Sequence, residues 1–176
     1  NKLEVNGKSP VILTVYGGPG VQRVSNEWIP PWHHYMASQG YGLLQLDNRG
    51  TTNRGTAFES PIYGKMGDVE VTDQLAGIDD LASHNWADMN RLGVFGHSYG
   101  GYMTLMLMMK SSRFKAGVSV APVTDWALYD THYTERYLGH PADNSTGYHD
   151  SAVFPYTASL SGKLLIIHGM ADDNVL

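Results

Sequence analysis

The chain has 176 residues, 42% of them hydrophobic and 16% charged, a formal net charge of -5 and no cysteine. Length and hydrophobic share predict one globular unit with a sizeable core. The acidic balance argues against nucleic acid as a partner. The missing cysteines exclude disulfides and thiolate metal sites, and no apolar run reaches the length of a membrane span. Asn1-Lys2-Leu3-Glu4 shows neither an initiator methionine nor a signal pattern, and Asp172-Asp173-Asn174-Val175-Leu176 stops in mid-motif. The chain is therefore expected to be a piece of a longer protein, incomplete at both ends, so its lack of a targeting segment says nothing about compartment.

Taken in order, a turn at 6–10 precedes an apolar, β-branched strand over 11–16. Gly17-Gly18-Pro19-Gly20 follows as a loop able to take backbone shapes closed to other residues. A helix is expected over 28–39, with Pro30 and Pro31 in its first turn and Gly40 at its end. The next strand spans 42–47 and leads into a polar loop, 48–55, whose Arg49 and Arg54 read as scaffolding. Over 68–84, Val71, Leu75, Ile78 and Ala82 recur at helical spacing, with Asp73, Asp79 and Asp80 facing water. Strands are expected at 91–95, 116–120 and 163–168, a helix at 101–110 and a loop-rich stretch at 121–161. Met103, Met106, Met108 and Met109 read as core filler. Continuous apolar strands alternating with helices predict a mostly parallel α/β sheet with helices on both faces. Ligands should then collect at the carboxyl ends of its strands.

Between the strand at 91–95 and the helix at 101–110 stands Gly96-His97-Ser98-Tyr99-Gly100. A serine flanked by glycines on a strand-to-helix turn is the nucleophile elbow of an α/β-hydrolase fold. The turn strains the serine backbone, and only glycine at the flanks lets strand and helix approach closely. Such a turn lifts the Ser98 hydroxyl clear of the sheet and aims the Tyr99 N–H at a developing oxyanion. Without that strand–helix context the same five residues would describe a plain turn serine.

A serine hydroxyl needs a base, and the base an orienting acid. In this fold the acid follows a late strand, which selects Asp172, with Asp173 as rival; either also fits a turn-capping carboxylate. The base should come after the acid, yet none of the eight histidines follows Asp172. His97 sits beside the nucleophile on a sharp turn, and His168 reads as a half-buried histidine at a strand end. The catalytic histidine is therefore expected beyond Leu176.

Five stretches carry a family resemblance: Tyr16-Gly17-Gly18-Pro19-Gly20, Asp47-Asn48-Arg49-Gly50-Thr51, Gly96 through Tyr102, Tyr133-Thr134-Glu135-Arg136-Tyr137-Leu138-Gly139-His140-Pro141, and His168 through Val175. With them the chain resembles the catalytic domain of the prolyl oligopeptidase family of serine peptidases, and within it the dipeptidyl peptidase IV branch. The resemblance implies a serine peptidase acting through an acyl-enzyme on Ser98 with Asp172. Tyr16 would give its hydroxyl to the oxyanion beside the Tyr99 N–H. Val123, Trp126, Tyr129 and Tyr133 would join Tyr99 around a proline-sized pocket, completed by Asn174 and Val175. By spacing alone, Trp126, Tyr129 and Tyr133 would sooner be core. The implied substrates are peptides with penultimate proline or alanine; no cofactor or metal is called for. A homodimer and a periplasmic or extracellular setting are implied by the same likeness. So is a preceding β-propeller that grips the substrate amine, a task to which no residue here is assigned. The elbow and Asp172 would equally serve an acylaminoacyl peptidase or an esterase, and a non-catalytic binding module on the same scaffold is the third reading.

Overall fold

The computed structural model describes residues 4–176; Asn1, Lys2 and Leu3 of the opening stretch lie outside the described residues. Five parallel strands form one sheet: β1 (Ser9–Val15), β2 (Gly42–Leu44), β3 (Ala87–His97), β4 (Phe114–Val120) and β5 (Lys163–Ile167), in the order β2-β1-β3-β4-β5. The helices between them are α1 (Pro31–Ser38), α2 (Thr56–Glu59), α3 (Val69–Leu81), α4 (Tyr99–Lys110), α5 (Thr131–Leu138) and α6 (Ser145–Ser151). The chain order jumps from β2 across β1 to β3, so the polypeptide reverses its direction of winding between β1 and β3. Ligand crevices form at such a switch, beyond the strand carboxyl ends. Ser98 follows β3 and Tyr16 follows β1, side by side at that edge.

The two faces of the sheet differ. Gly117 of β4 is cross-strand partner to Val94 of β3. A Cβ on Gly117 would overlap the Met108 side chain, so this face receives α4. Every residue of α4 from Tyr99 to Met109 is buried, as expected of a helix apolar all round. Met103, Met106 and Met108 are buried in one core cluster with residues of the sheet and of α3, where an unbranched thioether adapts to irregular space. Phe95, one residue on from Val94, points to the other face and meets Trp32 of α1 edge to face, with ring centroids 5.3 Å apart. Helices thus do lie on both faces.

Several boundaries differ from expectation for identifiable reasons. α1 begins at Pro31 because Pro30 is extended (φ -56, ψ 145), as a residue before proline tends to be. Trp28 is left outside it, 83% exposed. α3 stops at Leu81, so Ala82 is exposed and Leu81 closes the apolar stripe. β2 is only Gly42–Leu44, shorter than the expected strand. The stretch over 121–161 is not loop-rich but holds α5 and α6. Both are short helices started by polar caps: the Asp130 carboxylate accepts the Tyr133 N–H at 2.9 Å and the Asn144 side chain accepts the Gly147 N–H at 3.1 Å. Within the described residues, Leu165, Ile166 and Ile167 of β5 are 54%, 53% and 47% exposed. No helix among the described residues is long and apolar enough to cross a membrane.

Main-chain contact at the end of β3 leaves room only for glycine. A Cβ on Gly96 would overlap the Gly100 carbonyl, and one on Gly100 would overlap the Val15 carbonyl of β1. Gly100→Ala is expected to destabilise the fold by about 3 kcal/mol or more, since backbone on both sides cannot yield as a side chain would. Met109→Leu at the rim of the same helix should cost under about 1.5 kcal/mol. Urea midpoints of the two variants check the contrast.

Candidate active site

Ser98 has φ 60 and ψ -120, a conformation that L-residues rarely adopt. It persists because its surroundings hold it from both sides. The Ser98 N–H donates to the Val120 carbonyl of β4 at 2.9 Å, and the Ser98 carbonyl accepts the Tyr102 N–H at 3.0 Å as the first turn of α4. Gly101 completes the clamp, because a Cβ there would stand 2.6 Å from the Val120 oxygen. The serine is partly exposed between a strand and a helix.

Around it lies a small cavity of about 30 Å³, lined by Tyr16, Ser98, Tyr99, Val123, Trp126, Tyr129 and Tyr133. The structure thus brings together seven residues from four separate stretches of chain. The rings interlock: Trp126 and Tyr133 stack with centroids 6.2 Å apart, while Tyr129 meets both edge-on at 5.8 and 5.5 Å. Trp126 is buried on a single 3-10 turn, Trp126–Leu128, whereas Tyr133 lies on α5. Their apparent helical spacing therefore does not come from one helix. Asn174 is tied in through a 3.2 Å hydrogen bond from the Tyr129 hydroxyl to its Oδ1. Val175 is buried beside Val123 and Tyr129 in an adjoining crevice. A larger apolar cavity of about 510 Å³ lies against the α1 face of the sheet. It does not include Ser98 and offers few polar groups to orient a ligand, so chemistry belongs to the smaller site.

Tyr16 is half-buried at the end of β1, its ring 5.9 Å from that of Tyr99. Burial, then the neighbouring Tyr129 and Tyr137, push its hydroxyl pKa up, so it stays a proton donor at neutral pH. The loop behind Tyr16 is fastened by Asn48, whose amide donates to the Gly17 carbonyl at 2.9 Å. Gln74 of α3 donates in turn to the Asn48 Oδ1 at 2.8 Å. Asp47 accepts the Arg23 and Val24 N–H groups at 2.8 and 3.0 Å, fixing the chain beyond the glycines. Arg49 is scaffolding, as expected: its guanidinium meets Asp73 of α3 with a closest approach of 2.7 Å. Arg54 lies over the Phe58 ring.

Asp172 and its neighbours are arranged by a tight turn. Asp172 Oδ1 accepts the N–H groups of Asn174 and Val175, each at 3.0 Å. Oδ2 stands 3.4 Å from His168 Nε2. The two N–H bonds, followed by the nearby His168 and His97, hold the Asp172 carboxyl below its ordinary pKa. Asp173, the rival, is exposed. The turn-capping role thus falls on the residue that the sequence selects as the acid. His168 stands one residue past β5 and is exposed, not half-buried, with its Nε2 2.7 Å from the Val175 carbonyl oxygen, and His97 is exposed. Neither hydrogen-bonds the Ser98 hydroxyl.

Sequence reasoning missed three polar residues that hold these groups: Asn48, Gln74 and Glu70. All are buried, and Glu70 bonds the Tyr99 hydroxyl at 2.6 Å. A signal existed, since Glu70, Gln74 and Ile78 recur every four residues along the buried side of α3.

A parallel sheet switching direction at a strained serine, with that serine on a strand-to-helix turn, defines an α/β-hydrolase architecture. Sequence comparison agrees: the profile of the prolyl oligopeptidase family matches residues 31–176, and the chain belongs to that family. The chain is 43% identical over 184 aligned residues to dipeptidyl peptidase 8 of Homo sapiens, covering 98% of this chain and 20% of that protein. It is 41% identical over 172 residues to a probable dipeptidyl-aminopeptidase B of Ajellomyces dermatitidis, covering 96% and 19%. Among solved structures, dipeptidyl peptidase 4 of Porphyromonas gingivalis superposes with a TM-score of 0.93 at 41% identity, over 96% of this chain and 24% of that one. A putative dipeptidyl aminopeptidase IV from Bacteroides ovatus gives 0.93 at 42% identity, with the same coverage of 96% and 24%. The chain therefore spans about a fifth of the length of the curated relatives it matches.

A carboxyl whose pKa is lowered in the folded chain contributes stability above its unfolded value and loses it as pH falls through the folded value. Hydrogen-exchange protection of the Asn174 and Val175 amides is accordingly expected to be full at neutral pH and to fall below the usual carboxylate range. Asp172→Asn, which keeps an oxygen for the turn, should retain much of that protection and remove its dependence on pH.

Proposed function

We propose that this chain carries the nucleophile, acid and oxyanion donors of a serine peptidase that removes Xaa-Pro, and Xaa-Ala, dipeptides from free amino termini. The observation that carries the reading is the single cavity in which strained Ser98 meets Tyr16, Tyr99, Val123, Trp126, Tyr129 and Tyr133. The names of the relatives support it, each being a dipeptidyl peptidase or dipeptidyl-aminopeptidase. The base is a histidine C-terminal to Leu176.

In this mechanism the Ser98 oxygen attacks the carbonyl carbon of the penultimate residue and its proton passes to the histidine. Negative charge then gathers on the carbonyl oxygen, where the Tyr99 N–H and the Tyr16 hydroxyl donate hydrogen bonds. Both donors are set on rigid backbone before substrate arrives, so little reorganisation accompanies the reaction. Collapse of the tetrahedral intermediate breaks the peptide bond, and the protonated histidine gives its proton to the departing amine. Water, activated by the same histidine, then releases the dipeptide from the Ser98 ester. Asp172 directs the imidazole and stabilises its charged form. The aromatic walls favour proline, a rigid ring that buries apolar area without losing side-chain rotamers. Alanine fits the same pocket with less contact.

In the full-length protein, Ser98→Ala should abolish turnover of an Ala-Pro reporter; activity near that of the parent sinks the reading. Tyr16→Phe should lower kcat by about 10²–10³-fold, the effect of removing one oxyanion donor. Comparing the free reporter with its acetylated form tests the substrate class. Strong preference for the free amine is expected, whereas equal rates or preference for the blocked form would point to an acylaminoacyl peptidase or an esterase.

A further inference from the structure

α3 bears a carboxylate that the mechanism above does not use. Glu70 is fully buried at the start of the helix. Its Oε1 accepts the Tyr99 hydroxyl at 2.6 Å, both oxygens accept the Gly67 N–H at 3.0 Å, and Oε2 accepts the Asp68 N–H at 3.1 Å. No ion pair reaches it among the described residues: Lys65 and Lys110, the cations nearby, pair with Asp68 and Asp150 instead. Its own backbone N–H is a further donor, so four hydrogen bonds offset the burial of this group, and burial pushes its pKa up against them. Three of the donors are backbone amides that a smaller cap could satisfy. The fourth belongs to the residue after Ser98.

Tyr99 does more than supply an N–H. Its ring packs so closely on the loop after β1 that a Cβ on Gly18 would stand 2.6 Å from Tyr99 Cγ. On its other sides the ring meets Tyr102 and Trp126, each with centroids 5.4 Å away. A swing of the ring would therefore disturb the cavity wall and the Gly17-Gly18 backbone that follows Tyr16. We propose that Glu70 is a positioning residue: through the Tyr99 hydroxyl it fixes the ring that supports both the substrate cavity and the loop carrying Tyr16. In that way it keeps the two oxyanion donors in register. The inference rests on the reading of Ser98 as nucleophile.

The test is a double-mutant cycle in the full-length protein with Glu70→Gln, Tyr99→Phe and the pair. Each is read by kcat and KM on the Ala-Pro reporter, by the rate of Ser98 labelling with a fluorophosphonate, and by Tm. Each single change is expected to lower kcat/KM by about ten-fold or more, mostly in kcat, as for losing a hydrogen bond to a charged group. The pair should be little worse than the poorer single variant, because both changes cut one tether. Multiplying effects, or a fall in Tm with kinetics unchanged, overturn the proposal. Should Glu70→Gln fail to fold, Tyr99→Phe removes one oxygen and reads the same tether; kinetics within two-fold of the parent then overturn it. A parent that labels at Ser98 with the same coupling but ignores the reporter discards the substrate class and retains the tether. A parent that does not label overturns both.

Discussion

Everything at the site depends on how closely three backbones approach at the end of β3. Gly96 lies against the Gly100 carbonyl, Gly100 against the Val15 carbonyl and Gly101 against the Val120 oxygen, none with space for a methyl group. β1, β4 and the start of α4 are thereby locked to one short turn, and Ser98 sits there at a positive φ of 60. Strain of this kind costs about 1–3 kcal/mol and survives only where the surroundings over-determine it. Here the parallel sheet supplies that surplus, with Ser98 bonded to β4 on one side and continuing into a wholly buried helix on the other. The position of Ser98 is a property of the backbone, and side chains are then arranged around it.

α3 provides that arrangement although it contributes no residue to the cavity. Glu70 reaches Tyr99, Gln74 reaches Asn48 and so the Gly17 carbonyl, and Asp73 holds Arg49 on the same loop. Three polar residues within two turns of one helix thus support both β1's loop and the elbow. Buried polar groups are costly unless satisfied, and most atoms in this cluster are. The exception is the Gln74 Oε1, which has no hydrogen-bond partner.

How far all this was legible in the sequence follows from where each constraint acts. The elbow was readable because its sterics are local: glycine, serine and glycine within five residues, between a strand and a helix. The turn at Asp172 is local in the same way, closing within three residues. The aromatic cavity was legible only by family likeness, since Trp126 and Tyr133 come from different elements. Glu70 escaped because a glutamate in a helix ordinarily faces water, and its partner Tyr99 lies 29 residues away, beyond any local pattern. α5 and α6 escaped because they are short and polar, started by Asp130 and Asn144 caps in a stretch without strong apolar period.

The methionines of α4 give that helix a chemical memory. Met103, Met106 and Met108 are fully enclosed, so a peroxide reaches their sulfurs only while the helix has left the sheet. Oxidation makes each thioether polar and larger, and the former packing no longer accepts it. An opening that would otherwise close without trace then becomes a lasting lesion in the helix that follows Ser98. The count of sulfoxides on these three residues is a clock for how often this scaffold breathes.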